Sequence, residues 1–357
     1  MIFVKALVLE DIGKLEYCDV DMPKPAKGEV LVKVMAAGIC GSDIPRAYSE
    51  GAHNMPLIIG HEFSGCIEDV GEGVSKQWMG KRVGIFPLIP CRNCGPCRAE
   101  HYEMCRNYSY LGSRCNGGFA EYVTVPETNL IELPAGVSYE AAAMLEPMAV
   151  AVHAMRRLNL QQKNLPRVAV IGLGTIGTLL VMFLKEAGFE DLFVIGNKDS
   201  QKRNMMELGI SEDRYCDSSK CDACDFILSN TDGKGADVFF ECVGTNDAAN
   251  IAVDAAAPSG QVCFVGNPHS DMVFAKKVYW KILRNQLRIA GTWNSSFTGK
   301  DDDDWHYVLK RLASVSIVPE KLITQKYPLE DIVSGFELMR DKKEEYIKVM
   351  AVTDKEG

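Results

Sequence analysis

No stretch of the 357-residue chain comes near the roughly 20 uninterrupted apolar residues that a membrane-spanning helix needs. Basic runs are missing too. Lysine and arginine number 39 against 48 acidic residues, and the net charge of −9 argues against nucleic acid and against anionic membrane surfaces as partners. The opening stretch, MIFVKALVLE, is broken by Lys5 and Glu10 and has neither a signal-peptide apolar core nor a cleavage site, so a cytoplasmic protein is expected. Cysteine, by contrast, is abundant. Thirteen are present, an odd count, and in a reducing compartment clustered thiols point to metal rather than to disulfides.

The length favours two domains over one core. Through about residue 150, β-branched segments punctuated by Gly and Pro (EVLVKVMAAGIC, EFSGCIEDVG, KRVGIFPLIP, GFAEYVTVP) predict short strands of a partly closed β domain with long loops. From residue 167 the pattern changes. Apolar runs (RVAVIG, LFVIG, ADVFFECVG, QVCFVG, LRIAGT) alternate with helical stretches, which predicts an α/β region with a parallel sheet covered on both faces. A helix across 141–158 is expected to link the two. Beyond about residue 293 the alternation fades, and this tail is expected to return to the first domain. The expected domains are therefore 1–155, 156–293 and 294–357. The acidic run Asp301–Asp304 reads as a solvated loop or a helix start.

CRNCGPCRAEHYEMC places Cys91, Cys94, Cys97 and Cys105 at C-x2-C-x2-C-x7-C. Four thiolates satisfy tetrahedral zinc and leave no position for water or substrate, so a structural zinc is expected; an iron–sulfur cluster is the weaker rival. Other metal-ligating residue types are scattered: Cys40 in GICGSD, His61 and Glu62 in GHEFSG, and Glu146 in LEPMAVAVHA. Glu146 stands in an apolar helix, where an unpaired carboxylate is costly and a nearby cation would relieve it. Spacing alone does not join these segments.

GHEFSGCIEDVGEGV, the four-cysteine loop, GGFAEYV and LEPMAVAVHA, in that order and spanning essentially the whole chain, resemble the zinc-dependent medium-chain dehydrogenase/reductase superfamily. Within it, AGICGSDIPRAYSEGAHNMPLIIGHEFSG, PLIPCRNCGPC and YLGSRCNGGFAEYV resemble the galactitol-1-phosphate 5-dehydrogenases, with sorbitol dehydrogenases close behind. The resemblance implies a GroES-like partly closed β-barrel catalytic domain plus a Rossmann doubly wound parallel-sheet domain, with the active site in the cleft between them. It also implies a catalytic zinc on Cys40, His61 and Glu146, with Glu62 adjacent and able to exchange into the shell. Asp43 is then expected to fix the His61 ring, and Ser42 to touch the substrate hydroxyl and begin a proton relay. A homodimer or homotetramer, often paired through the sheet edge of the cofactor domain, is implied as well.

RVAVIGLGTIGTLL supplies an apolar strand, then Gly172-x-Gly174-x-x-Gly177 opening a helix, the context in which such glycines cradle a dinucleotide pyrophosphate. Thr175 and Ile176 fall within that turn. About 20 residues on, an NAD-binding strand normally ends in Asp or Glu; LFVIGNKDSQK ends instead in Gly196, followed by Asn197 and Lys198. An acid there would repel a 2′-phosphate, so its absence favours NADP(H), with Arg203, Arg214 and Tyr215 as further candidates. The resemblance to NADP-dependent alcohol dehydrogenases, which run Gly, small polar, basic and then a tyrosine at the next strand end, implies the same. NAD(H) stays open, through Asp199 or another group. The expected reaction is reversible hydride transfer between a secondary alcohol of a hexitol phosphate and NADP(H), with two zinc ions per chain. Arg46, Arg114 and His53 are candidates for a substrate phosphate and Asn294 for sugar hydroxyls. A sorbitol, secondary-alcohol or threonine-type substrate is the alternative within enzymes, and a non-catalytic NADPH-binding sensor the alternative outside them. Cys221 and Cys224, in KCDACD, read as incidental.

Overall fold

The computed structural model describes residues 2–158, 160, 166–268 and 270–353. The chain divides into two compact units, Met1–Ala149 with Ser296–Gly357, and Val150–Ser295. The division falls inside the helix Leu145–Arg157.

The first unit is built on a seven-stranded sheet. Its long central strand, Glu29–Ile39, pairs antiparallel along one edge with Glu62–Val70, and along the other with Tyr122–Pro126 and then with Lys348–Val352 from the end of the chain. Thus the end of the chain joins the sheet built on Glu29–Ile39. A three-stranded sheet of Lys14–Asp21, Phe3–Asp11 and Leu57–Ile58 accompanies it. Leu7, Val32, Ile39, Phe63, Phe119, Phe336 and Val349 fill one core, with Phe119 and Phe336 edge to face at 5.4 Å. The acidic run does begin a helix, Asp304–Ala313, but two of its members are not solvated. Asp303 and Asp304 are buried, because their carboxylates accept the N–H groups of Thr298, Gly299, His306 and Ser296.

The second unit carries six parallel strands in the order Tyr215–Asp217, Leu192–Gly196, Val168–Ile171, Ala236–Glu241, Ala256–Phe264, Arg288–Gly291. The order reverses beside Val168–Ile171, as in a doubly wound dinucleotide-binding sheet. Both VAVI (168–171) and LFVIG (192–196) are buried at every residue, which is why these strands read as unbroken apolar runs. Among the described residues no helix is long and apolar enough to cross a membrane.

Candidate active site

Strand register assembles the scattered residues. Gly38 stands opposite Glu62 across one pairing, and Ile39 opposite Val349 across the other. Cys40 therefore leaves its strand where His61 and Glu62 enter theirs and where Lys348 opens the third. Cys40, His61 and Glu62 each present a ligand atom, and these atoms lie within 4.8 Å of one another. A Cβ on Gly38 would lie 2.6 Å from Glu62 Oε2, so the central strand withholds a side chain where that carboxylate turns in. Glu146, in the first turn of Leu145–Arg157, stands outside this triplet, but its carboxylate is buried and feels the charges of His61 and Glu62.

The electrostatics of the cluster favour a cation. Burial opposes the charge on Asp43, yet His61 and Arg46 outweigh it and hold the carboxyl below its ordinary range. Asp43 Oδ1 lies 3.3 Å from His61 Nδ1 and also accepts the Arg46 guanidinium. Burial disfavours a proton on His61, but Asp43 and Cys40 overcome it and raise the imidazole well above its usual value. Burial, reinforced by Glu62 and opposed by His61, pushes Glu146 up to about 7. Tyr110 donates its hydroxyl to Glu146 Oε1 at 3.1 Å. Ser42 Oγ donates to Cys40 Sγ at 3.3 Å. A half-buried thiol beside a buried imidazole and buried carboxylates suits zinc in ligand chemistry and in charge.

The four-cysteine loop is local by comparison. Its four sulfurs lie within 4.8 Å of one another, with Cys91 to Cys97 and Cys94 to Cys105 each at 4.0 Å. The backbone N–H groups of Arg106 and Cys97 lower Cys94 to about 6, while burial pushes Cys97 up to about 12. Amides aimed at thiolate sulfur, in a set with no oxygen or nitrogen ligand, fit a closed tetrahedral zinc site.

In the second unit the glycine turn follows Val168–Ile171 and opens the helix Thr175–Glu186, which has no side-chain cap. Gly172 has φ +94°, and a Cβ on Gly177 would lie 1.9 Å from Gly172 O, so helix and strand approach only because both lack side chains. The Leu192–Gly196 strand ends at Gly196, but the space beside it is not open. A Cβ there would lie 2.6 Å from Gln201 Oε1 and 2.8 Å from the Tyr215 hydroxyl. Gln201 accepts the Asn197 N–H at 2.9 Å, and Tyr215 donates to Lys198 O at 3.1 Å. Asn197, Lys198 and Asp199 are exposed. Arg203 is exposed on the following helix. Arg214 lies toward the other end of the strand, paired with Asp191 at 2.8 Å and stacked on Phe193, away from Gly196.

Two cationic substrate candidates are likewise engaged. Arg46 is bonded to Asp43, and the Arg114 guanidinium lies 4.4 Å from the centre of the Tyr108 ring. His53 is exposed in its loop, and Asn294 belongs to the second unit with φ +51°. Cys221 does not pair with Cys224: it is joined to Cys216 by a disulfide.

Residues 26–135 match the alcohol dehydrogenase GroES-like domain, and 175–314 the zinc-binding dehydrogenase domain. Galactitol 1-phosphate 5-dehydrogenase of Escherichia coli (strain K12) is 31% identical over 93% of this chain and 95% of its own. The chain belongs to the zinc-dependent medium-chain dehydrogenase family. L-threonine 3-dehydrogenase of Bacillus subtilis (strain 168) is 32% identical to this dehydrogenase over 90% of it and 91% of the relative. A zinc-binding dehydrogenase from Sinorhizobium meliloti 1021 bound to NADP superposes with TM-score 0.89 at 27% identity, covering 99% of this chain and 100% of the other. An E. coli CFT073 alcohol dehydrogenase complexed with NADH superposes at 0.87, also with 27% identity, over 98% and 99%. The dehydrogenase is an oxidoreductase acting on small-molecule alcohols with a nicotinamide cofactor and zinc.

Several members of the dehydrogenase's sites escape sequence reasoning. Lys348 is 2% exposed and donates from Nζ to Glu62 Oε2 and, at 3.1 Å, to Ile39 O. Its only signal is a lysine opening an apolar strand, KVMAV. Tyr110 stands in a motif quoted for resemblance alone, its ring edge to face with His61 at 5.7 Å. Gln201 carries no signal at all.

Proposed function

We propose that this dehydrogenase interconverts a secondary alcohol of a hexitol phosphate and the corresponding ketose phosphate with NADP(H), using two zinc ions per chain. Cys40, His61 and Glu146 would hold the catalytic ion with Glu62 beside it, and Cys91, Cys94, Cys97 and Cys105 the structural one. The observation that carries the chemistry is the gathering of ligand atoms from half-buried Cys40 and buried His61 and Glu62 within 4.8 Å of one another. The substrate class rests on the likeness to galactitol 1-phosphate 5-dehydrogenase along nearly the full chain.

When bound, zinc supplies Lewis acidity toward the substrate oxygen and the nicotinamide accepts or returns hydride. The chain's own residues do the rest. Asp43, kept ionised by His61 and Arg46, orients the His61 ring through Nδ1. Ser42 Oγ takes the hydroxyl proton and passes it outward. Lys348 supplies the countercharge that lets Glu62 stay buried beside the ligands. In the other unit the glycine turn receives the pyrophosphate, and Asn197 and Lys198 receive the 2′-phosphate that an acid at position 196 would repel.

Initial rates with galactitol 1-phosphate and free galactitol, each with NADP and NAD, test this reading together with zinc counted per chain. Higher kcat/KM for the phosphorylated alcohol and the phosphorylated cofactor is expected, at two zinc per chain. Equal or better rates with NAD overturn the cofactor assignment, and turnover of threonine but no hexitol derivative overturns the substrate class.

We also propose that two copies pair through the Arg288–Gly291 edge of the six-stranded sheet. Ile289 (42% exposed) lies on that edge, and Trp293 (53%) follows it. Tyr279, Trp280 and Leu283 on the helix Lys276–Arg284 are exposed as well, a density of apolar surface that a monomer seldom leaves in water. Sedimentation of an Ile289→Lys variant should show monomers; an unshifted oligomer would reject this edge.

A further inference from the structure

The disulfide has a location that gives it a use. Cys216 lies in the strand Tyr215–Asp217, paired in register with Ile195, and the next pair is Gly196 with Asp217. Cys221 follows four residues after that strand, with its Cα 6.8 Å from that of Cys216. The bond therefore closes a six-residue ring, Cys216–Asp217–Ser218–Ser219–Lys220–Cys221, directly against the strand end assigned to the cofactor's adenosine ribose. The ring is fastened there: Gly196 O accepts Ser218 N–H at 2.8 Å and Ser218 Oγ at 3.1 Å. Inside it, Asp217 accepts from Ser219 N at 3.0 Å and from Ser219 Oγ at 2.6 Å, and pairs with Lys220 at 2.7 Å. Lys220 Nζ also lies 4.0 Å from Asp199.

The two sulfurs differ in access. Cys216 is 1% exposed, whereas Cys221 stands at the exposed surface. Such a pair has an attacking thiol open to solvent and a resolving thiol held beside it. Cys224, three residues on, faces Asp254 instead, at 3.7 Å from Oδ2.

We propose that Cys216 and Cys221 form a redox-modification site that sets the affinity of the cofactor strand end. In the dithiol form, the Cys221 thiolate attacks one sulfur of a small disulfide such as glutathione disulfide and expels a thiolate. The Cys216 thiolate then displaces the second. Two electrons pass from the cysteine sulfurs to the oxidant, which leaves as two thiols, and one sulfur–sulfur bond forms in the protein. Closing the ring removes freedom from residues 217–220, so Ser218 and Lys220 are already ordered when cofactor arrives. Oxidation tightens cofactor binding and reduction loosens it, while the zinc-side chemistry is untouched. The affinity effect rests on the assignment of Gly196–Lys198 to the ribose end; the modification site itself does not.

The experiment equilibrates the zinc-loaded enzyme with glutathione disulfide or with excess dithiothreitol and maps the thiols by peptide mass. NADPH and NADH dissociation constants are then measured on both forms by fluorescence. A Cys216–Cys221 linkage in the oxidised form only is expected, with NADPH bound about fivefold tighter and kcat changed less than about twofold. Cys221→Ser should bind like the reduced enzyme in both buffers, and Cys224→Ser should respond like the unaltered chain. Two free thiols after oxidation, or a Cys221–Cys224 linkage, overturn the site. A linkage that forms with no change in either dissociation constant overturns the coupling. Neither nucleotide binding to either form rejects the dinucleotide assignment and with it the coupling, while the linkage map still decides the modification site.

Discussion

Between Cys40 and Lys348 the chain makes its candidate metal centre by bringing side chains in, whereas between Gly172 and Tyr215 it makes room for a cofactor by leaving them out. The first region gathers a thiol, an imidazole, carboxylates and an ammonium from segments as far apart in sequence as residues 40, 62, 146 and 348, nearly all buried. Each charge there is tolerable only because others answer it. The second region works by near-contacts between backbones: the Gly177 position has a carbonyl oxygen 1.9 Å from where a Cβ would stand. Damage should accordingly propagate differently. Losing one charge in the metal centre leaves the remaining ones unanswered, while adding atoms at the strand end displaces the tip of Gln201 and nudges the Tyr215 ring.

Removing a donor tests the first half of that contrast most severely. His61→Ala or Cys40→Ser should lower kcat/KM by at least about 10³-fold, roughly 4 kcal/mol of transition-state stabilisation. Zinc per chain should fall from two to one, and nucleotide affinity, which depends on the other unit, should change little. Turnover intact in metal-loaded His61→Ala would sink the catalytic-zinc reading.

Lys348→Met removes the ammonium and keeps the bulk. Glu62 is then left 2% exposed with no countercharge of its own, and removal of one partner from so buried a pair should cost about 3 kcal/mol in urea unfolding. A companion Glu62→Gln should recover most of that loss, because the amide needs no ammonium. If the double variant is as unstable as the single one, Lys348 acts through packing and not through charge.

How much of each region the sequence discloses follows from the same difference. The glycine turn and the four-cysteine loop are each contained in about 15 residues, so spacing alone carries their geometry. The three segments bearing Cys40, His61 and Glu146 could be joined only through resemblance, since no local spacing measures the register that sets Gly38 opposite Glu62. Lys348 lies 286 residues from its partner Glu62 and reads as the start of an ordinary strand. Gln201 and Cys216 depend on how a helix and a strand end pack, which composition does not record. For the same reason Arg214 was a plausible phosphate candidate by its place in the chain, and its pairing with Asp191 shows that it lies toward the other end of the strand.

Gly196→Asp tests the second half. Its side chain meets Gln201 Oε1, the Tyr215 hydroxyl and Leu173 Cδ1; Gln201 can rotate aside and the Tyr215 ring has to shift a little, so folding should survive. A carboxylate at that strand end repels a 2′-phosphate and accepts ribose hydroxyls; the NADP-to-NAD ratio of kcat/KM should fall by about 10- to 100-fold. An unchanged ratio would mean that cofactor choice is made elsewhere.

The smallest expected effect distinguishes packing from electrostatics at the same place. Tyr215→Phe removes the hydroxyl bonded to Lys198 O and should cost about 1 kcal/mol in stability near neutral pH. Burial, with the Asp217 charge adding to it, pushes Tyr215 from 10.0 up to about 12. Because the folded-state value is the higher one, the contribution is whole below pH 10 and fades as pH rises through about 12. Urea unfolding near pH 8 and near pH 11 should therefore show the gap between the unaltered chain and Tyr215→Phe narrowing at the higher pH, where the folded chain must still hold the phenol neutral. A gap that stays constant would mean the phenol ionises as readily in the fold as outside it, and that the strand end is wetter than its buried tyrosine implies.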